Sequence, residues 1–343
     1  MTDRYKTYLD HFLLIFIAGI FLIVSGCNSG TDNEYVDDTG KSLEIIKIGR
    51  LICGGHLPLA VVEKKYQDQI ESFHLQTVQN HDWNDVVEDM RSGKLAGTFM
   101  LSPLAMNLIH NGFPGKIVMV SNRNGNGFVL ADKIRSIDEL KKIKTIIAVP
   151  HVFSQHNVLL HILIQEYKIP VENVSVVGMP PRDMIGSLRK GEIDGFVVGE
   201  PEANKSVELG VGWMAAISPA IWENHMDHVF LASNKFIDEK PRQLQELVNK
   251  LLQAGIFIEK NPHEAARMGE DYTGSPAFIF EKVLTDPPDW IDYYDMTPRK
   301  SDVMTMAEKL VEMNLWNNNH IDNPEQYIDM RFITRAIKLN ESK

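Results

Sequence analysis

The sequence predicts an α/β fold with two lobes and a helical C-terminal region. From residue 45 to residue 217, short apolar runs alternate with segments of helical period, which is typical of mostly parallel sheets flanked by helices. The Gly/Asn run at 122–127 interrupts this alternation, and a second series of similar length follows it. Beyond Arg242, apolar residues recur at three- and four-residue spacing, which predicts helices that pack across both lobes.

The predicted elements fall into three groups along the chain. The first contains strands at 45–51, 73–79, 95–101 and 116–121 and helices at 58–65, 83–92 and 103–110. The second contains helices at 137–143, 155–167, 182–190 and 201–209 and strands at 145–150, 174–179, 195–198 and 213–217. The third contains a strand at 229–232 and helices at 242–259, 263–272, 277–284 and 302–315.

The Gly/Asn run has two interpretations. Flexible residues between two units with separate cores are what a hinge requires, whereas Asn-Gly pairs are also typical of surface hairpin turns. In the hinge interpretation, residues 44–123 form the first lobe, 124–127 the hinge and 128–225 the second lobe. Residues 226–343 then supply a return strand and C-terminal helices that pack on the lobes.

The N-terminus has the layout of an export signal. A basic start precedes thirteen uncharged residues at 12–24, and Ser25-Gly26 leads directly to Cys27. An ordinary signal peptide or anchor helix is the alternative, but the run is shorter than the roughly 20 residues of a membrane span. A Cys in this position resembles the lipobox of bacterial lipoproteins. The resemblance implies a signal peptide at 1–26, a lipidated Cys27 with a flexible tether over 27–43, and an exported protein that the lipid anchors to the cell membrane.

Composition and motifs narrow the function classes. The formal net charge of −11 argues against nucleic acid as a partner. Cys53 is the one cysteine besides Cys27, so no internal disulfide is expected, and we expect it to be a buried strand-end residue. There is no G-x-S-x-G, P-loop, H-E-x-x-H or C-x-x-C motif, and His151 with His156 lacks a third metal ligand. The sequence therefore predicts no catalytic residue, no metal and no cofactor.

A strand–turn–helix segment carries the most specific functional signal. The apolar run 195–199 leads to Glu200 and to Pro201 at a helix start, where a ligand can meet backbone N–H groups. Residues 197–203 resemble the V-G-E-P-W-N-type segment of solute-binding proteins of the nitrate/bicarbonate and sulfonate/taurine ABC importers. The lead-in at 191–196 and the segments at 207–213 and 221–230 resemble their neighbours in that family, so the resemblance covers roughly residues 45–274.

The resemblance implies a periplasmic-binding-protein fold of type II. Two lobes close on a small solute, and the closed form docks on an ABC permease and its ATPase. When the family's ligand-contacting positions are matched to this sequence one by one, the resemblance implies a set of ligand-binding residues. His56 is added to this set because Gly54-Gly55 beside it lets the backbone approach a ligand. The full set is His56, Phe99, Asn126, His156, Gly199 and His228.

The identity of the solute is left open by these residues. His228 stands where nitrate binders have Lys, so an anion requires protonated histidines or helix N-termini. If histidines supply the charge, binding is expected to weaken above about pH 7. Asp194, Glu200 and Glu202 could hold Ca²⁺, although we expect Asp194 to be structural and Glu202 to be solvated.

The expected function is therefore capture of a small anionic or polar solute, nitrate-, sulfonate- or bicarbonate-like, without covalent change. A binding protein for a heteroaromatic such as a thiamine pyrimidine precursor is the alternative, because that related branch shares the fold. A secreted enzyme on the same fold and a sensor or partner-binding lipoprotein are weaker alternatives, since no acid/base pair or signalling segment supports them.

Overall fold

The computed structural model describes residues 34–37, 39–317 and 323–342. The predicted signal peptide and Cys27 lie outside these residues. Within them, no helix is both long enough and apolar enough to cross a membrane.

The chain divides after Ile45 into two compact units. In the first unit, β1 (Glu34–Val36) pairs antiparallel with the start of β2 (Ser42–Arg50), and Tyr35 lies opposite Leu43. Within the tether predicted for residues 27–43, Glu34–Val36 thus pairs with the start of β2 as an exposed hairpin.

The first sheet of the second unit gathers strands from distant parts of the chain. Its order is β2-β4-β11-β5-β12, with β3 beside β2. The strands after β2 are β3 (His74–Gln79), β4 (Gly97–Leu101), β5 (Gly115–Asn124), β11 (Met226–Ser233) and β12 (Ile291–Asp292). β2 and β4 are parallel, whereas β11 is antiparallel to both β4 and β5. The returning strand thus forms the centre of the sheet.

The second sheet is built from one continuous stretch of chain. Its order is β10-β6-β9-β7-β8. The strands are β6 (Asn126–Leu130), β7 (Thr145–Val149), β8 (Val174–Gly178), β9 (Gly195–Gly199) and β10 (Trp213–Ile217). β7 is parallel to β8 and β9, while β6 is antiparallel to β9 and β10.

The predicted α/β class with helix-flanked sheets is confirmed. Both sheets are mixed, because each contains a strand that runs antiparallel to its neighbours. These strands are β6 and β11, and each is the first strand after the chain crosses from the other sheet. Periodicity does not encode strand direction, so the sequence could not reveal this.

Most of the helices lie close to their predicted positions. They are α1 (Leu57–Val61), α2 (Trp83–Arg91), α3 (Ser102–His110), α4 (Gln155–Glu166), α5 (Pro181–Lys190), α6 (Glu202–Glu208), α7 (Asn234–Glu239), α8 (Pro241–Lys260), α9 (Pro262–Thr273), α10 (Ala277–Thr285), α11 (Lys300–Glu312) and α12 (Arg331–Glu341). Buried leucines of α8, including Leu244, Leu247 and Leu251, share one core with residues of β2 and α1. The apolar stripe of α8 thus joins the C-terminal helices to the first sheet.

The Gly/Asn run connects the two sheets. β5 ends at Asn124, which has φ +57°, Gly125 has φ +85°, and Asn126 begins β6 in the other sheet. The hairpin interpretation of this run is therefore wrong. The chain returns between β10 and β11, and the backbone N–H of Asn124 donates to the carbonyl of His225 at 3.1 Å, so the two crossings lie side by side.

Candidate functional site

A glycine pair after β2 brings the first-lobe residues to the site. Gly54–His56 forms one turn of 3₁₀ helix that leads into α1. The N–H of Gly54 donates to the carbonyl of Glu200 at 3.0 Å. A Cβ atom on Gly54 would lie 2.2 Å from that carbonyl oxygen, and one on Gly55 would lie 2.2 Å from His228 Nδ1. The close approach of this turn to the other residues therefore requires glycine at both positions.

Asp227 lies at the centre of a buried polar cluster. It is 1% exposed and belongs to the central strand β11. Its carboxylate accepts hydrogen bonds from Asn122 Nδ2 at 2.8 Å and Asn126 Nδ2 at 3.0 Å, and also from Gln155 Nε2. Burial by itself raises the pKa of Asp227, but the neighbouring His228 lowers it below its usual range. The carboxylate is therefore ionised near pH 7.

His228 connects this carboxylate to a thiol. Its Nδ1 lies 2.7 Å from Asp227 Oδ2, and its Nε2 lies 3.7 Å from Cys53 Sγ. Burial by itself lowers the pKa of His228, but Asp227 and Cys53 raise it to about 10. In the ion-free protein this ring is therefore positively charged near pH 7, as the anion-binding prediction required.

The other two histidines of the predicted set are neutral. Burial lowers the pKa of His156 to about 3 and that of His56 well below its ordinary value. Burial therefore disfavours a protonated His156 as the source of positive charge, which leaves His228 and helix N-termini as the alternatives for an anion. At His56, Nδ1 accepts a hydrogen bond from the Leu51 N–H at 3.2 Å.

Several polar atoms around Asp227 are buried without a hydrogen-bond partner among the described residues. They are His56 Nε2, Asn122 Oδ1, Asn126 Oδ1, Gln155 Oε1 and both ring nitrogens of His156. Buried polar atoms in folded proteins are almost always satisfied by protein, water or ligand. A cluster of them therefore indicates a place where a polar ligand or an ion belongs.

The six predicted site residues lie in two groups on either side of Asp227. His56, Phe99 and His228 form one group, in which the ring centroids of His56 and Phe99 are 5.7 Å apart. Asn126, His156 and Gly199 form the other, because a Cβ on Gly199 would lie 3.6 Å from both Asn126 Oδ1 and His156 Nε2. Phe99 is fully buried and packs edge-on against Phe230, so it forms the apolar backing of the site.

A cleft of about 790 Å³ lies beside this cluster. Its walls come from both lobes, chiefly from residues 51–53, 79–84, 150–152 and 178–182. Cys53 and Trp83 line the cleft and also contact the cluster, since the rings of Trp83 and His228 are 5.6 Å apart. None of the six predicted residues is among the residues that line this cleft.

The cleft carries cationic groups from the second lobe. Arg182, Arg189 and Lys205 are all part of its lining. Arg182 Nη1 also donates to the carbonyl of His81 at 3.4 Å, which bridges the two lobes. Asp82 and Glu202 also line the cleft, and Glu202 pairs with Lys205, so the lining has an excess of one cationic side chain, which favours an anionic group.

Sequence reasoning missed Asp227, Gln155, Cys53 and Trp83 as site residues. Cys53 is partly exposed in the cleft rather than buried at a strand end, and its histidine partner comes from a strand 175 positions further along the chain. The signal for Asp227 was present, since a carboxylate interrupts a buried apolar strand.

The three carboxylates considered for Ca²⁺ hold separate partners. Asp194 pairs with Lys133 and accepts from the N–H of Ile146, which agrees with a structural role. Glu202 contacts Lys205 and Ser275 and is partly buried rather than solvated. Glu200 is buried and accepts from the N–H of Asn204 at 3.0 Å, and burial raises its pKa to about 8.

Two mixed, helix-flanked sheets joined by paired crossovers, with a cleft between them, define the fold of two-lobed solute-binding proteins. The periplasmic nitrate-binding protein NrtA from Synechocystis has this fold, with a TM-score of 0.81 and 17% identity over 87% of this chain and 89% of that one. The ligand-binding component of an ABC-type import system from Staphylococcus aureus, solved with zinc bound, gives a TM-score of 0.77 and 21% identity over 85% and 98% of the two chains.

The chain belongs to the NMT1-like family, whose sequence model matches residues 40–270. Among curated proteins, the nitrate import ATP-binding protein NrtC of Synechocystis is 26% identical over 280 residues, which is 75% of this chain. The match covers 41% of that relative, so the chain spans less than half of its length. The resemblance to binding proteins of ABC importers is thereby confirmed.

Proposed function

We propose that this protein is the substrate-binding component of an ABC-type importer. It captures a small anionic or polar solute between its two lobes and delivers it, chemically unchanged, to a membrane permease. The observation that carries this proposal is the cleft between the lobes beside a buried charged cluster whose polar atoms lack partners. Family membership and the fold support the same conclusion.

Capture requires that the lobes move about the paired crossovers. We infer that residues 44–123 and 128–225 form the lobes and that residues 124–127 are one of the hinge segments that connect them. Positive φ angles at Asn124 and Gly125, next to the second crossing at His225, support a bend there. A solute that contacts both lobes selects the closed form, because only that form makes both sets of contacts.

The lining of the cleft supports a solute with an anionic group. Arg182, Arg189 and Lys205 supply positive charge, and His228 adds a protonated ring at the base. Nitrate-, sulfonate- and bicarbonate-like solutes remain the first candidates. Trp83 in the lining of the cleft favours a heteroaromatic solute, such as a pyrimidine precursor of thiamine, as a second candidate.

Placement at the membrane completes the proposal. Export with cleavage after residue 26 would leave Cys27 at the new N-terminus, and a lipid on its thiol would anchor the protein outside the cytoplasm. The partners would then be the solute, the permease with its ATPase subunits, and the lipid bilayer.

A thermal-shift screen of the purified protein tests the function. The compounds are nitrate, nitrite, bicarbonate with and without Ca²⁺, sulfate, taurine, alkanesulfonates and pyrimidine precursors. A true solute at one hundred times its Kd stabilises the native state by about 2.7 kcal/mol, and the shift grows with concentration. Recovery of the solute unchanged supports a binding protein, whereas turnover of a stabilising compound would overturn the proposal in favour of an enzyme.

A further inference from the structure

Three potential metal ligands converge at the base of the cleft. One ligand atom from each of Cys53, His56 and His228 lies within 4.8 Å of the other two. Cys53 Sγ and His228 Nε2 are 3.7 Å apart. In a tetrahedral zinc site, bonds of about 2.3 Å to sulfur and about 2.1 Å to nitrogen place those two atoms about 3.6 Å apart. The thiol and this imidazole thus already have the separation of two ligands on one metal ion.

Asp227 orients the imidazole of His228 for coordination. Its Oδ2 lies 2.7 Å from Nδ1, so the Nδ1–H is donated to the carboxylate and Nε2 is directed at the thiol. Metal-binding histidines usually donate their second N–H to a carboxylate or carbonyl in this way. Asn122 and Asn126 hold the carboxylate in turn, which fixes its position.

His56 provides the third ligand. Its side chain is fully buried, and its Nε2 has no hydrogen-bond partner among the described residues. The ring packs edge-on against His228, with centroids 5.6 Å apart. Because Nδ1 accepts from the Leu51 N–H, the ion-free ring carries its proton on Nε2. Coordination through Nε2 requires the proton on Nδ1, so the hydrogen bond from the Leu51 N–H is lost and the ring must turn away from that donor.

We propose that Cys53, His56 and His228 bind one thiophilic divalent transition-metal ion, with Zn²⁺ as the best fit, and that Asp227 is a positioning residue for His228. One thiolate and two imidazoles are a ligand set that suits Zn²⁺. On binding, the Cys53 thiol and the Nε2 of any protonated His228 release their protons to solvent. Three protein ligands would leave a fourth position for water or a solute group. The site rests on this geometry alone and does not depend on the transport proposal.

Co²⁺ is the probe that reports sulfur coordination directly. The chelator-treated full chain, with Cys27→Ser so that Cys53 is the one thiol, is titrated with CoCl₂ and followed by absorption. We expect one equivalent to bind, with the strong visible bands of four-coordinate Co²⁺ and a near-ultraviolet thiolate-to-metal charge-transfer band, and Zn²⁺ to displace it. Binding without the charge-transfer band would overturn Cys53 as a ligand.

Variants separate the ligands from other histidines of the cleft. Cys53→Ser should abolish the charge-transfer band, and His56→Gln or His228→Gln should each weaken Zn²⁺ binding at least tenfold. Asp227→Asn should weaken it about 10–100-fold and leave the charge-transfer band in place at saturation, as expected for a residue that acts through His228. His151→Gln is the matched control, because this histidine lines the same cleft but is not one of the three proposed ligands. The Zn²⁺ affinity of this variant should match that of the parent within about twofold. An equal loss in the His151 variant would place the ion elsewhere.

A measurement on the Cys27→Ser chain avoids the risk that buried variants fail to fold. The rate at which iodoacetamide alkylates Cys53 is compared with and without one equivalent of ZnCl₂. Coordination should slow alkylation at least tenfold, and a chelator should restore the original rate. An unchanged rate in the natively folded protein would overturn the metal site.

Discussion

Asp227 is a buried anion whose surroundings neutralise it from several directions. His228 supplies the positive charge, and Asn122, Asn126 and Gln155 donate hydrogen bonds. Gln155 is also the first residue of α4, so the positive end of that helix lies near the carboxylate. Removing one partner of such a group leaves a buried charge uncompensated. This cost explains why so many polar side chains contact the Asp227 carboxylate.

His156 offers a direct test of the binding site at the level of one residue. His156→Ala should weaken solute binding at least tenfold, because both ring nitrogens are buried near Gly199 and available to a ligand. Removing the side chain breaks no protein hydrogen bond among the described residues, so the variant should remain folded. The measurement is calorimetric titration with the solute from the screen. His161→Ala, on the same helix and away from Asp227, is the control; equal affinity in both variants would exclude His156 as a ligand contact.

The same residue predicts a pH profile. Because burial lowers the pKa of His156 to about 3, its charge does not change between pH 5.5 and 8.5. His228 also keeps its charge over this range, since its pKa is raised to about 10. Solute affinity should therefore be nearly flat from pH 5.5 to 7, below the range in which the neighbouring Glu200 ionises, measured by titration at several pH values. A tenfold change within that range would show that a histidine titrates in the site after all.

Glu200 should make the fold less stable as pH rises. Burial raises its pKa to about 8, so between about pH 4.5 and 8 the unfolded chain loses this proton while the native protein keeps it. The free energy of unfolding then falls with rising pH by up to about 1.4 kcal/mol per unit from this group. Urea unfolding at pH 5 and pH 8 should show a smaller decrease for Glu200→Gln than for the parent, whereas Glu202→Gln should keep the parent's slope. Parallel slopes in all three proteins would contradict the assignment.

At the scale of elements, β5 does more than form part of the first sheet. Its end leads into the crossing, and its Arg123 is fully buried. The guanidinium pairs with Asp302 at the start of α11 and with Asp295, and it donates to the carbonyls of Asn224 and Thr297. One side chain therefore joins the first crossing, the second crossing and a C-terminal helix.

Arg123→Met should destabilise the protein by about 3–5 kcal/mol, because it leaves Asp302 and the backbone carbonyls without their cation. Arg299→Met is a matched control, since Arg299 pairs with the same Asp295 at 2.6 Å but its side chain is 45% exposed. That exposed pair should contribute about 1 kcal/mol or less. Chemical denaturation of both variants measures the difference, and similar losses would refute the anchoring role of Arg123.

At the scale of the whole molecule, the two sheets are linked where the chain crosses between them. The contacts that bridge the lobes include Gly54 to Glu200 at the base and Arg182 to His81 at the cleft. Most of each core comes from one sheet and its flanking helices, although Val158 of α4 packs in the core of the first sheet, so closure can occur without loss of either core.

Solute binding should therefore decrease the radius of gyration, because closure brings the lobes together. Small-angle X-ray scattering with and without saturating solute measures this change. The His156→Ala variant at the same solute concentration should show a smaller decrease or none. An unchanged radius in the parent at full saturation would contradict closure and favour a rigid site.

The order of elements could be predicted from the sequence because helix and strand periods, caps and turn residues act locally. Thus α2, α4 and α8 begin and end within a few residues of their predicted bounds. The strands β1, β6 and β12 and the helices α7 and α12 were not predicted. The reversed direction of β6 and β11 was not predicted either, because pairing partners are chosen by the chain as a whole.

By itself, the sequence determined the α/β class, the break at 122–127, the acidic charge and the family, all of which depend on local pattern and composition. Only the tertiary structure decided what surrounds each polar residue. Cys53 and His228 are 175 positions apart, and they meet because β11 returns to the middle of the first sheet. Burial then sets the charge of His156, His228 and Glu200, since desolvation and neighbouring charges exist only once distant strands have packed together.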